Sequence, residues 1–245
     1  FDPFLLFDAF DSTDPASYIK GFPWHPHRGM ETVTYLIEGE IEHGDSLGNT
    51  DVIRAGDCQW MTAGSGIIHQ EMPQPARRLL GGQLWLNLPA KNKMTRPQYK
   101  PIVKNEIPVI EEEHATVRIL TGTYKEHKGA TDGDYVKASY LDITVHPESE
   151  WEIDTPPSHT VFVYIVEGKA TFGHDYPRTI TAKNVVLFET GEALKLQTTE
   201  KPVRFLLMMG KPLREPVAWG GPIVMNTREE LMHAFQELDE NTFIK

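Results

Sequence analysis

Two pairs of side chains that could bind a metal ion lie in the first third of the sequence. His25 and His27 are separated by one residue, and His69 and Glu71 repeat that spacing after the turn sequence TAGSG. Residues two apart in a strand point to the same face of a sheet, so each pair would present both side chains to one side. On neighbouring strands, these four groups could surround one ion and leave positions open for water or substrate.

Imidazole and carboxylate ligands suit several divalent metals, among them Fe(II), Mn, Co, Ni, Cu and Zn. Open sites with such ligands are common in oxygen-activating iron proteins, whereas structural zinc sites are usually closed and tetrahedral. The pattern therefore predicts one mononuclear divalent metal, with Fe(II) as the leading candidate. Glu31 has the same parity as His25 and His27 if no bulge intervenes, so it is a second candidate carboxylate ligand.

The elements that must position these residues are short strands. Turn residues recur every eight to twelve positions from Gly21 to about Gly210, and alternating runs such as TVTYLIEG and TVFVYIVEG lie between them. Many short strands at this spacing indicate an all-β sandwich or barrel. Helical periodicity is clear only near the C-terminus, where Thr227 and Glu230 predict a capping box ahead of a short amphipathic helix.

An internal repeat predicts two copies of one β-fold. TVTYLIEGE, residues 32–40, aligns with VFVYIVEGK, residues 161–169, and a second pair of matching segments follows at nearly the same offset. We expect the boundary between about Ile110 and Gly133. The predicted domains are residues 1–120 and residues 121–245.

The second copy lacks the candidate ligands. The repeat offsets place Asp154, Pro156, Leu196 and Thr198 at the positions of His25, His27, His69 and Glu71. If the histidines were needed for folding, both copies should have kept them. The asymmetry therefore assigns the chemistry to the first copy.

Several other residues have testable interpretations. Gly29 is expected to allow a bend or a close backbone approach, and Arg28 is expected to pair with a carboxylate such as Asp57. In GGQLWLNL, Gln83 and Trp85 share one face, which either lines the barrel or packs in the core. The remaining histidines are interpreted as surface groups: His43, His114, His127, His146, His159, His174 and His233.

Composition limits the function classes. The net charge of -11 and the absence of a long Lys/Arg cluster argue against direct nucleic-acid binding. No apolar run approaches the roughly 20 residues needed to cross a bilayer, and Cys58 is the single cysteine, so we expect a soluble cytoplasmic protein without disulfides. The sequence begins at Phe1 rather than a methionine, so we expect residues of the natural chain to precede it.

Three segments resemble the pirin family of two-domain cupins: DPFLLFDAF, the stretch from HPHRGMETVTYLIEGE to TAGSGIIHQEMP, and PLREPVAWGGPIVMNT. The resemblance covers essentially the whole chain. It implies two stacked cupin-type β-sandwich or barrel domains with a short C-terminal helix, and a metal, usually iron, in the N-terminal domain alone. The family's ligand pattern falls on His25, His27, His69 and Glu71, whereas the wider cupin pattern would use Glu31.

The resemblance also implies a function. Some bacterial pirins resemble quercetin 2,3-dioxygenases, which open the heterocycle of a flavonol with O2 and release carbon monoxide. A small aromatic substrate and O2 are then the expected partners, with Glu71 as the catalytic base. The alternative is a regulator that binds a transcription factor or a metabolic enzyme, so that the partner is a protein.

Overall fold

The computed structural model describes residues 1–173 and 177–245, so the expectation for His174 lies outside the described residues. The strands of the first part of the chain are β1 (Phe4–Ser12), β2 (Phe22–His27), β3 (Met30–Glu38), β4 (Glu40–Asp45), β5 (Thr50–Arg54), β6 (Cys58–Thr62), β7 (Ile67–Pro73), β8 (Leu79–Asn87) and β9 (Gln98–Ile102). Short 3-10 helices cover Pro15–Ser17, Ala90–Asn92 and Lys104–Glu106.

The second series of strands repeats the alternation of strand and turn. These strands are β10 (Val109–Glu111), β11 (Ala115–Thr121), β12 (Thr123–Tyr124), β13 (His127–Lys128), β14 (Ala138–Val145), β15 (Glu150–Asp154), β16 (Thr160–Glu167), β17 (Lys169–Phe172), β18 (Arg178–Thr181), β19 (Val185–Leu187), β20 (Ala193–Gln197) and β21 (Val203–Gly210). The chain ends with β22 (Ala218–Gly220), β23 (Ile223–Met225) and the helix α1 (Arg228–Asp239). The predicted all-β fold with a short C-terminal helix is confirmed.

The chain forms two compact units, and both are discontinuous in sequence. The first unit contains Pro3–Lys104 and Leu213–Lys245, and the second contains Phe1–Asp2 and Asn105–Pro212. The division into continuous sequence domains, residues 1–120 and 121–245, stays a prediction. The last 33 residues lie with the strands of the first unit.

In the first unit, a five-stranded sheet, β1-β8-β3-β6-β9, faces a four-stranded sheet, β2-β7-β4-β5. Side chains from both sheets meet between them: Leu36 of β3 and Leu79 of β8 pack against Ile41 of β4 and Ile53 of β5. These apolar residues alternate with outward-facing positions, as a two-sheet sandwich requires. They close one part of the interior, and a second buried apolar cluster contains Met30, Met61, Ala63, Ile67 and Val224. Buried polar side chains such as His69 and Glu71 also belong to this unit.

The second unit has the same two-sheet plan. A six-stranded sheet, β10-β11-β14-β21-β16-β19, accompanies a four-stranded sheet, β15-β20-β17-β18, with β12-β13 as a separate hairpin. Its interior is one cluster of buried apolar side chains, in which Trp151, Phe172 and Leu196 from the smaller sheet pack with Phe205 and Leu207 from the larger one. This interior is filled by hydrophobic packing.

The helix α1 packs on the hairpin β22-β23 of the first unit. The capping box is confirmed, because the Thr227 side chain accepts from the backbone of Glu230 and the Glu230 carboxylate accepts from the backbone of Thr227. The apolar face of α1 meets a buried cluster that includes Ile223 of β23 and Phe243 of the C-terminal segment. Within the described residues, no helix is long and apolar enough to span a membrane.

Candidate metal centre

Strand pairing brings three of the predicted ligands together. His25 of β2 lies directly opposite His69 of β7 in the antiparallel register, and His27 lies two residues along the same strand. One potential ligand atom from each of the three histidines lies within 4.8 Å of the others. Their ring centroids are 4.4 to 4.9 Å apart. Such a cluster could hold one metal ion.

Two of these imidazoles are held in one tautomer by backbone carbonyls. Nδ1 of His25 lies 2.8 Å from the Pro23 oxygen, and Nδ1 of His27 lies 3.3 Å from the Pro222 oxygen. Because a carbonyl can only accept, each Nδ1 carries the proton and each Nε2 keeps its lone pair. This arrangement is typical of metal-ligating histidines. Among the described residues, Nε2 of His27 and both ring nitrogens of His69 have no hydrogen-bond partner.

Burial keeps the rings of His27 and His69 neutral. His27 and His69 are 1% and 0% exposed. Burial, followed by the neighbouring His25, lowers the pKa of His27 to about 3. Burial and then His27, His25 and His43 also lower the pKa of His69. A metal must compete with protons for imidazole lone pairs, so neutral rings are prepared for coordination at neutral pH. The donor set, its tautomers and its unpartnered nitrogens all fit a divalent metal.

Glu71 lies on the wall of the same interior, outside the cluster of three histidines. Its carboxylate accepts from Thr34 Oγ1 at 3.2 Å and from Gln83 Nε2 at 2.7 Å. The amide of Gln83 is oriented in turn, because its Oε1 accepts from Trp85 Nε1 at 2.8 Å. Glu71 is 3% exposed, and these donors compensate for the loss of water around its charge. Its role as a metal ligand stays a prediction.

Glu31 points away from the three histidines. The chain leaves the smaller sheet at His27 and enters the larger sheet at Met30, so strand parity does not carry over from β2 to β3. Within β3, Thr34 faces Glu71, and Glu31, three residues earlier, lies on the opposite face. There its carboxylate accepts from Thr62 Oγ1 at 2.7 Å. The geometry favours Glu71 over Glu31 as the carboxylate of the site.

The expected pairing of Arg28 with Asp57 is wrong. Asp57 instead accepts from the backbone N–H groups of Arg54 and Lys104. The Arg28 guanidinium, with its residue 1% exposed, forms an ion pair with Glu237 of α1. It also donates to backbone oxygens on two segments: Ser65 at 2.6 Å and Phe243 at 3.0 Å.

The contacts of Arg28 connect the ligand-bearing strands to the C-terminal segment. Ser65 lies in the turn that leads to His69, and Arg28 directly follows His27. The backbone of Gly29, next to Arg28, approaches Val224 closely, as expected for a glycine at this position. Its φ is +76°, and an added Cβ would lie 1.9 Å from the Val224 oxygen. Only glycine fits there. Residues 213–245 thus help to position His27.

A cavity of about 340 Å³ opens beside the histidines. This size lies within the range of roughly 300–1,000 Å³ for small-molecule sites. Trp85 lines it, as the alternation in GGQLWLNL allowed, and its ring lies 5.2 Å from that of His27. The other lining residues are Leu6, Asp8, Phe10, Phe22, His25, His27, Thr34, Ile41, Glu71, Gln83 and Pro222. Most of the wall is apolar, with a few convergent polar groups.

The expectation that His43 is a surface group is wrong. His43 is 3% exposed, its Nε2 lies 3.2 Å from Asp45 Oδ2, and its ring stacks on Tyr99 with centroids 4.4 Å apart. The alternation of EIEHGD, with Ile41 inward, could have indicated this. The exposed or half-buried positions of the other described histidines agree with their surface interpretation: His114, His127, His146, His159 and His233.

Comparison with known protein families identifies the chain. A model of the pirin domain matches residues 1–86, and a model of the pirin C-terminal cupin domain matches residues 140–244. The chain belongs to the pirin family. The resemblance read from the sequence is therefore confirmed, together with the presence of two cupin domains.

Three relatives show how far the pirin similarity extends. A pirin-like protein from Solanum lycopersicum is 42% identical over 99% of this chain and 82% of its own length. Human pirin is 40% identical over 95% of this chain and 80% of its own length. A crystal structure of quercetin 2,3-dioxygenase from Acinetobacter baumannii is 35% identical, with a TM-score of 0.88, and the match covers 98% of this chain and 86% of that one.

Proposed function

We propose that this pirin is a metal-dependent dioxygenase that opens flavonol-like substrates of the quercetin type with O2. The observation that carries the proposal is the position of three clustered histidines, two of them with unpartnered ring nitrogens, beside a cavity with mainly apolar walls and one fixed carboxylate. The similarity to a protein named quercetin 2,3-dioxygenase supports the choice of substrate class.

His25, His27, His69 and Glu71 would hold the metal, and Fe(II) is the proposed ion because its enzymes commonly combine histidine, carboxylate and open positions. When bound, the ion would lower the pKa of a substrate hydroxyl group and supply the redox chemistry for reaction with O2. The histidines would contribute nitrogen donors at this site. Glu71 contributes negative charge.

In this proposal, Glu71 would receive the proton of the substrate hydroxyl. Its two oxygens accept from Thr34 and Gln83, and each oxygen retains further acceptor capacity toward the cavity. Because Trp85 fixes the amide of Gln83, the Gln83 N–H group stays directed at the carboxylate. The carboxylate therefore has a fixed orientation when the substrate enters, which reduces the reorganisation required for proton transfer.

The cavity walls would bind the rings of the substrate. Phe22 and Trp85 offer aromatic surfaces, and Leu6, Phe10 and Ile41 offer aliphatic or aromatic contacts that exclude water. In the overall reaction, one flavonol and one O2 give a ring-opened ester and one carbon monoxide, so both oxygen atoms enter the products. The protein needs no external reductant for this stoichiometry.

The test is elemental analysis of anaerobically purified protein followed by oxygen-electrode traces with quercetin on the iron-loaded form. We expect one metal per chain and O2 uptake with matching release of carbon monoxide. His27→Ala should abolish both, while His233→Ala, at an exposed position on α1, should retain them. One metal per chain without uptake would reject the dioxygenase and favour the regulator that binds a protein partner.

A further inference from the structure

Besides His27, four buried polar side chains inside the first unit have atoms without hydrogen-bond partners among the described residues. These atoms are His69 Nδ1 and Nε2, His43 Nδ1, Thr32 Oγ1, and both amide atoms of Gln59. Metal binding would use one nitrogen of His69 and would leave the other atoms unexplained. Buried polar groups without partners are rare and costly, so their concentration in one interior requires a cause.

Strand register places Gln59 and His43 next to each other across the two sheets. Thr34 of β3 and Glu71 of β7 already connect the sheets by a hydrogen bond of 3.2 Å. Gln59 is the partner of Thr34 on the next strand, β6, and His43 is the partner of Glu71 on the next strand, β4. Directly paired residues share a face, so both side chains point into the interior one strand beyond this bond.

His69 lies two residues along β7 from Glu71, in the row next to that of His43. The rings of His43 and His69 have centroids 5.4 Å apart, and no hydrogen bond connects them in the described structure. Thr32 points inward from β3, one row along from Thr34. His43, His69, Gln59 and Thr32 therefore face one polar region next to Glu71 and Thr34. None of these four residues is among those that line the cavity beside Trp85.

The proton positions on the two histidines are complementary. Nε2 of His43 faces the carboxylate of Asp45, which can only accept, so in the neutral ring Nε2 carries the proton and Nδ1 is an acceptor. Asp45 is itself fixed by the N–H groups of Leu47 and Asn49. If one nitrogen of His69 binds the metal, the other is an N–H donor. A donor and an acceptor in adjacent rings can be joined by one water molecule.

We propose that this polar region is an internal water site, and that its water connects His69 to His43 and thereby orients His69 for metal binding. His25 and His27 each have a backbone carbonyl that fixes the ring, and His69 has none among the described residues. The water supplies the missing contact, with Gln59 and Thr32 as its further partners. His43 is a positioning residue. The orienting role rests on the proposed metal site, whereas the water site itself does not.

The sign of one stability change tests the water site in metal-free protein. Gln59→Leu replaces the amide by an apolar group of similar size. If water bonds the Gln59 amide, the variant loses those bonds and Tm falls, by about 2–4 °C for a loss equivalent to one hydrogen bond. If the region is dry, removal of two unpartnered atoms raises Tm, and the proposal is overturned. Met61→Leu, a buried apolar neighbour on the same face of β6, is the matched control.

The orienting role needs a metal-binding measurement. His43→Phe keeps a ring that can stack on Tyr99 but removes Nδ1. We expect the Kd for Co(II) to rise by about 10-fold to 100-fold, with a changed Co(II) visible spectrum. His43→Gln, which can still hydrogen-bond to water, should recover most of the affinity.

An unchanged Kd and spectrum in His43→Phe would overturn the orienting role. If the unmutated protein fails to bind Co(II), the proposed metal site has failed instead. The Gln59→Leu measurement on metal-free protein still decides the water site in that case. The two proposals can therefore fail separately.

Discussion

The two units contain corresponding rows of side chains with opposite character. In the first unit, the row across β2, β7 and β4 is His25, His69 and Asp45. In the second unit, the row across β15, β20 and β17 is Trp151, Leu196 and Phe172. The strand order around both rows is the same, β2-β7-β4-β5 and β15-β20-β17-β18. One architecture thus accommodates either a polar row or an apolar one.

The difference shows what the polar row is for. Trp151 and Phe172 pack on Phe205 with ring centroids 5.7 and 6.5 Å apart, and they fill the interior with favourable contacts. The first unit has buried imidazoles, a carboxylate and unpartnered polar atoms in the corresponding region. Such groups lower stability unless a ligand or water compensates them. Among the described residues, only the first unit has such groups in this region, which is evidence of function rather than of folding.

The largest expected effect follows from removal of the central histidine of that row. His69→Ala should reduce bound metal from one per chain to nearly none, as measured by elemental analysis. The far-UV circular dichroism should stay unchanged, because the second unit forms the same sheets with Leu196 at this place. His146→Ala, outside the site, is the control. Loss of β-structure in His69→Ala would make the histidine row structural and would remove the contrast between the units.

Glu71 and Glu31 are the two candidate carboxylate ligands of the first unit, and their variants test which of them binds the metal. Glu71→Ala should raise the metal Kd at least about tenfold more than Glu31→Ala, because Glu71 lines the cavity and Glu31 bonds to Thr62 on the other face of β3. Isothermal titration with Co(II) measures both constants. Equal affinity losses in the two variants would contradict the choice of Glu71.

The sequence was sufficient for the parts of the site that depend on local spacing. Parity in β2 and β7 predicted that His25 joins His27 and that His69 joins Glu71, and the histidine cluster of the structure agrees for the three imidazoles. Parity failed for Glu31 because the corner at Gly29 moves the chain from one sheet to the other. Because the corner is only two residues long, the change of sheet cannot be recognised from the spacing of residues in the sequence.

Contacts between residues far apart in the sequence could not be predicted from local patterns. Pro222 and Glu237 are about 200 residues from His27 and Arg28, and no periodicity connects them.

His43 was misassigned for a different reason. A histidine next to a turn is usually at the surface, but strand alternation with Ile41 places this one inside. The repeat also misaligned His25 with Asp154, whereas strand pairing places Trp151 opposite Leu196.

Breaking the ion pair of Arg28 should have a smaller effect, on the free energy of unfolding. An ion pair in the second unit provides the matched control. Glu237→Gln should lower the free energy of unfolding of the first unit by about 3 kcal/mol, because a buried guanidinium loses its charged partner. Glu152→Gln breaks the Lys195–Glu152 pair of the second unit, whose side chains are about half exposed, and should cost less than about 1 kcal/mol. Urea unfolding measures both. Equal losses would show that the Arg28 pair is no more important than a surface pair.

The smallest expected change in metal content comes from a test of whether one substitution can create a metal site in the second unit. Leu196→His places an imidazole in the apolar row, but Trp151 and Phe172 remain beside it and offer no ligand atoms. Elemental analysis should still give one metal per chain. Thermal unfolding should begin at a lower temperature, since a buried imidazole without a partner replaces a packed leucine. A second bound metal in this variant would mean that one histidine is enough to make a site in this fold, so the other residues of the polar row in the first unit would need another explanation.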